Sequence, residues 1–178
     1  MASYDTSIII GCFKGNKEFC EIIFKDTNCI IPPTTWEEVK FRTRPEAFEL
    51  RNKVKDHCKV YGYDEPPFSD FDVKMDIDEF VDEVRINWYH GRPKKGRGAM
   101  DYNRKLRYFK RNCIGSLNPK HAFNDYRIYK ETNVLGEEGV VDELITNDKS
   151  QYLEECQAIY EEIMEKLGEE RKIKAREP

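Results

Sequence analysis

Residues 7–24 read SIIIGCFKGNKEFCEIIF. Ser7–Phe13 and Glu18–Phe24 are dense in Ile and Phe, with Gly15-Asn16 between them. β-Branched and aromatic side chains suit a pleated strand, and a Gly-Asn pair supplies the positive φ that a tight turn requires. The stretch therefore predicts a β-hairpin. A second turn at Asp26-Thr27-Asn28 leads into the short apolar piece Cys29–Ile31, which Pro32-Pro33 ends. The hairpin thus extends to a three-stranded antiparallel meander.

Beyond the prolines the punctuation is helical. Thr35-Trp36-Glu37-Glu38 has the spacing of a capping box, with Thr34 or Thr35 as cap. Thr43-Arg44-Pro45-Glu46 repeats the pattern with Pro45 in the first turn, and Ala47, Leu50, Val54 and Cys58 give the next helix its apolar side. Tyr63–Ser69 reads as a loop. Helices follow from Asp76, from Met100 to Cys113, and after the cap Asn118. The last of these carries Ala122, Phe123, Tyr126 and Tyr129. Val140, Val141, Leu144 and Ile145 suggest a short apolar helix. Asn147 or Asp148 then caps a long final one bearing Leu153, Cys156, Tyr160, Ile163 and Leu167. The expected class is α+β and mainly helical: an N-terminal antiparallel β-meander or hairpin, several helices and a long C-terminal helix. Residues 1–168 make one globular domain, and 169–178 form a charged tail that frays.

The net charge of −4 over 178 residues hides a segregation of charge. Residues 61–84 carry one Lys+Arg against nine Asp+Glu, and residues 131–178 carry six against fourteen. Residues 85–130 carry thirteen against two. A polyanion responds to this local potential, not to the mean charge.

Two features dominate the basic segment 85–130. The loop 91–99, GRPKKGRGA, offers Arg92, Lys94, Lys95 and Arg97 on a glycine-rich backbone. In the helix 100–113, MDYNRKLRYFKRNC, a 3.6-residue period puts Tyr102, Leu106, Phe109 and Cys113 on one side. Arg104, Arg107, Tyr108 and Arg111 fall on the other. No acid at i±4 serves those three arginines, so their own helix gains nothing from them. Cations neutralise phosphates and aromatic faces stack on bases. The sequence thus predicts a nucleic-acid-binding protein that contacts the DNA or RNA backbone with little sequence specificity. Gly91-Arg92-Pro93 followed by Lys94-Lys95 resembles the core of an AT-hook, in which Gly-Arg-Pro lies in the minor groove of A·T-rich DNA; His90 departs from that motif's basic lead-in.

Two alternatives use the same chain differently. The basic face could dock on an acidic protein surface, in an assembly protein, with the final helix as a weak dimer seam. A metal-dependent nuclease can be built from Asp70 and Asp72-Val73-Lys74, where two carboxylates hold a divalent ion and a lysine steadies water. The aspartates at 70, 72, 76 and 78 lack EF-hand spacing, because the sixth loop position is Met75 or Ile77 instead of glycine. His57, His90 and His121 are scattered, and no CxxC pair or phosphate-binding glycine loop occurs. No cofactor, metal site or catalytic residue is expected from the leading reading. The six cysteines, at 12, 20, 29, 58, 113 and 156, come without a signal peptide or a membrane-length apolar run. They predict reduced thiols in a cytoplasmic or nuclear compartment.

Overall fold

The computed structural model describes residues 1–69, 124–148, 161, 164–165 and 168–178. Five strands are present among them: β1 (Ala2–Tyr4), β2 (Ile30–Ile31), β3 (Lys59–Val60), β4 (Glu143–Ile145) and β5 (Lys174–Arg176). They form one sheet in the order β3-β2-β1-β4-β5, and every pairing is parallel. The helices are α1 (Thr6–Phe13), α2 (Lys17–Lys25), α3 (Pro33–Arg42), α4 (Phe48–His57) and α5 (Asn124–Glu137), with a 3-10 turn at Pro45–Ala47.

The antiparallel meander is therefore overturned, and with it the mainly helical α+β class. The expected hairpin 7–24 is instead a pair of antiparallel-turn helices, α1 and α2. Capping explains the difference. Asp5 accepts the Ser7 amide and starts α1, and Asn16 accepts the Phe19 amide and starts α2. Gly15, at φ 94°, turns one helix into the other. Ile8, Ile9 and Cys12 then fall on one buried side of α1. Their aliphatic density reflects a core position, not a pleat.

Three further differences follow from the sheet being parallel and buried. Ile30–Ile31 sits beside β1 in register Ser3–Ile30, not in a hairpin. The expected apolar helix at 140–145 contains β4, since a fully buried strand lacks polar alternation. Within the tail that was expected to fray, Lys174–Arg176 pairs with Glu143–Ile145. Arg176 also grips Glu143 with Nε at 2.6 Å and Nη2 at 2.9 Å. Helices α3 and α4 occur after the prolines, but the expected caps do not form: the N-caps are Pro32 and Ala47, neither with a side-chain bond, Thr34 and Thr35 lie inside α3, and Thr43 ends it.

Alternation along β1 splits the core in two. Ala2 and Tyr4 join Ile8, Ile9, Ile23, Trp36, Val39 and Val54, so α1 to α4 contribute to this cluster. Ser3, between them, instead meets Thr132 of α5, with the hydroxyl oxygens 3.2 Å apart. Helices thus cover both faces of the sheet. Helix α3 packs against both α1 and α5.

Cysteines also depart from expectation. Cys12 is bonded to Cys20, tying α1 to α2, and Cys29 to Cys58, tying the start of β2 to the end of α4. Both pairs join chain segments that the α/β winding places side by side. No described cysteine is free. Cys113 and Cys156 lie outside the described residues. Among the described residues, no helix is long and apolar enough to cross a membrane.

Candidate active site

The strand order places a topological switch between β1 and β4: the chain builds outward to β2 and β3, then returns to the other side of β1. Crevices outside the carboxyl ends of strands at such a point are where open α/β sheets bind ligands. Asp5 follows β1 directly, and Thr146-Asn147-Asp148 follows β4 directly.

Hydroxyls stitch these two strand ends together. Asp5 Oδ2 accepts the Ser7 amide at 3.1 Å, the Ser7 hydroxyl at 2.5 Å and the Thr146 hydroxyl at 3.1 Å. Ser7 Oγ accepts the Asn147 amide at 3.0 Å, and Thr146 Oγ1 accepts the Asp148 amide at 3.0 Å. The Asp5 amide itself donates to the Ile145 carbonyl at 3.0 Å. Burial raises the Asp5 carboxyl above its ordinary value, and the Ser7 and Thr146 bonds oppose that rise.

Two helices bring two more acids. Glu38, near the end of α3, is one-tenth exposed at its side chain. Its Oε2 accepts the Thr6 hydroxyl at 2.7 Å, and its Oε1 accepts Asn124 Nδ2 at 2.7 Å. Arg42, one turn on, approaches Oε1 at 3.3 Å. Asp125 follows Asn124 in α5. Its carboxyl is pushed up to about 7, first by burial and then by the charges of Asp5, Glu38 and Asp148, with Arg42 opposing. The four carboxylates thus share one electrostatic field at the switch point.

Among the described residues, no group of three or more acidic, histidine or cysteine side chains is placed to hold a metal ion.

A second buried acid holds the frame. Glu131 of α5 is fully buried. It accepts the Thr34 amide at 2.9 Å, the Thr34 hydroxyl at 2.6 Å and the Tyr63 hydroxyl at 2.5 Å. Pro32 offers α3 no side-chain cap, so Glu131 reaches across from α5 to do that work. Burial pushes its carboxyl up, against the lowering effect of these bonds and of Arg127. Arg127 Nη2 in turn donates to Tyr63 Oη at 2.5 Å. Beside Glu38 a cleft of about 240 Å³ opens between Phe41 and Arg42 of α3, Tyr63, and Asn124 and Arg127 of α5.

Sequence reasoning missed all four acids. Glu38 stood as part of a capping box and Asp148 as a helix cap, and Asp5 and Asp125 were given no role. The available signal was an acid at or just past the end of two short apolar runs, ASYD and ELITND. The residues expected to bind nucleic acid, Arg92, Lys94, Lys95, Arg97, Arg104, Arg107, Tyr108 and Arg111, lie outside the described residues. So do the group Asp70, Asp72 and Lys74, the helix from Asp76, His90 and His121, and most of the final helix. Comparison with protein-family models, with curated proteins and with solved structures returned no match.

Proposed function

We propose that the protein is a metal-dependent phosphodiesterase acting on nucleic acid. Asp5, Glu38, Asp125 and Asp148 would be its acidic centre, and the basic segment 85–130 its substrate anchor. The observation that carries this is geometric: the Thr146 hydroxyl ties Asp5 and Asp148 together at the carboxyl ends of β1 and β4, and burial with the charges of Asp5, Glu38 and Asp148 pushes the Asp125 carboxyl up to about 7.

Hydrolysis of a phosphodiester joins a water oxygen to phosphorus as the ester P–O bond breaks, and the departing alkoxide takes up a proton. A divalent ion, when bound, supplies the positive charge that draws the phosphate in and acidifies the attacking water. This chain's own groups set the geometry. The Ser7 and Thr146 hydroxyls hold Asp5, and Thr6 and Asn124 hold Glu38.

The basic segment would supply what an acidic centre cannot, namely attraction for a polyanion. Segment 85–130 runs directly into α5, whose first turn bears Asp125. Arg92, Lys94, Lys95 and Arg97 with Arg104, Arg107, Tyr108 and Arg111 are proposed as backbone contacts. The Cys12–Cys20 and Cys29–Cys58 bonds favour an oxidising compartment as the place of action.

The test is a cleavage assay with labelled single-stranded and duplex DNA and RNA, with Mg²⁺ or Mn²⁺ and with chelator. Wild type should cut at least one of these only with metal. Asp148→Asn keeps the amide that bonds Thr146 and should cut at least ~100-fold more slowly. A folded Asp148→Asn protein that cleaves at the wild-type rate would sink the proposal.

A further inference from the structure

A second groove adjoins the acidic crevice. It is about 540 Å³ in volume and lies between the end of α1 and the start of α4. Its floor is apolar: Ile10 and Phe13 of α1 and Leu50 of α4, with Phe13 and Leu50 packed on the core. Its walls carry Lys14, Arg42 and Arg44, against one carboxylate, Glu46. Arg42 also lines the cleft beside Glu38, so the two hollows share a wall. Next to Arg42, Phe41 is 85% exposed. Among the described residues, Lys14 and Arg44 form no ion pair.

We infer that this groove is a subsite for a nucleotide flanking the bond that is cut, on the strand whose phosphate lies at the acidic crevice. The inference rests on the phosphodiesterase proposal for its strand, and on the groove itself for its chemistry. An unstacked base needs an apolar surface, and Ile10, Phe13 and Leu50 line the groove, Phe13 and Leu50 being packed on the core. The adjoining phosphates need cations at the rim, and Lys14, Arg42 and Arg44 stand there. A charged groove with aromatic contacts is how strands are held without sequence readout. The volume falls within the roughly 300–1,000 Å³ of ordinary ligand pockets. Arg42 makes the path continuous, because its guanidinium is 3.3 Å from Glu38 and also faces the groove. An acidic peptide would match the rim charges but would leave the link to the acidic crevice without purpose.

The test is fluorescence anisotropy on the full chain carrying Asp148→Asn, with a labelled single-stranded oligonucleotide of about ten nucleotides. Adding Lys14→Glu and Arg44→Glu should weaken binding about tenfold and reduce the salt slope by about two. Affinity and slope unchanged in a folded variant would overturn the subsite. Should the charge reversals prevent folding, Glu46→Lys decides: tighter binding supports the groove and unchanged binding overturns it. A poly-glutamate probe that binds as tightly, and loses as much, would reassign the groove to acidic proteins and overturn the nucleotide. Cleavage by wild type is scored separately. Its absence refutes the phosphodiesterase proposal and leaves the anisotropy comparison readable.

Discussion

Thr146 Oγ1 donates to Asp5 Oδ2 at 3.1 Å while accepting the amide of Asp148 at 3.0 Å. One buried hydroxyl thereby fixes two acids that are 143 positions apart in the chain. Thr146→Val keeps the shape and removes both bonds. It should cost about 1–3 kcal/mol in urea denaturation and lower cleavage by a larger factor than Thr146→Ser, which retains the hydroxyl. Equal stability and equal activity of the Val and Ser variants would contradict this role.

Asp125 makes stability depend on pH in a defined direction. Its folded value, about 7, lies above the ordinary 3.8. A raised carboxyl stabilises the fold fully below the ordinary value, and the contribution is lost as pH rises through about 7. Melting temperature should therefore fall between pH 5 and pH 8 in wild type, and fall less in Asp125→Asn. Identical pH slopes in the two proteins would refute the assignment.

The same field predicts a metal response. Millimolar Mg²⁺ or Mn²⁺ at pH 8 should raise the melting temperature of wild type, because binding to the folded state alone adds stability by mass action. The rise should shrink in Asp125→Asn and in Asp148→Asn. A rise of equal size in both variants would place the ion elsewhere.

Glu131 caps α3 from another helix, so its loss should reach Glu38 on that helix. Glu131→Ala strips partners from the Thr34 amide, the Thr34 hydroxyl and the Tyr63 hydroxyl. The cost should be roughly 2–4 kcal/mol by denaturant titration. Burial already favours the uncharged form of this carboxyl, so Glu131→Gln should cost less. A Gln variant as damaged as the Ala variant would mean that the negative charge itself is required.

Reducing the protein should destabilise it. Cys29 and Cys58 are separated by 29 positions, and closing a loop of that length stabilises a fold by about 3–4 kcal/mol in the chain-entropy account. Dithiothreitol should lower the urea midpoint by a corresponding amount. A thiol titration of the unfolded, unreduced protein that finds all six cysteines free would remove the premise.

The helices after the prolines were legible in the sequence, and their caps and the sheet topology were not. Pro33 and Pro45 punctuate α3 and the turn before α4 locally, whereas the cap on α3 comes from Glu131, far along the chain. Ser7–Phe24 misled because Ile and Phe serve a buried helix face as well as a strand, and only the Asp5 and Asn16 caps distinguish the two. Strands of two or three residues, such as Ile30–Ile31, are too short for any period to register. The site was hidden for a related reason. Asp5, Glu38, Asp125 and Asp148 are distant in sequence, and only a parallel sheet with its switch between β1 and β4 brings their charges together.

The register of β1 against β4 has a bearing on biosynthesis. Strand Ala2–Tyr4 gains one of its two neighbours only after residues 143–145 have left the ribosome, and β4 gains its outer neighbour only with residues 174–176. A nascent chain therefore lacks the assembled crevice until translation of this region is nearly done.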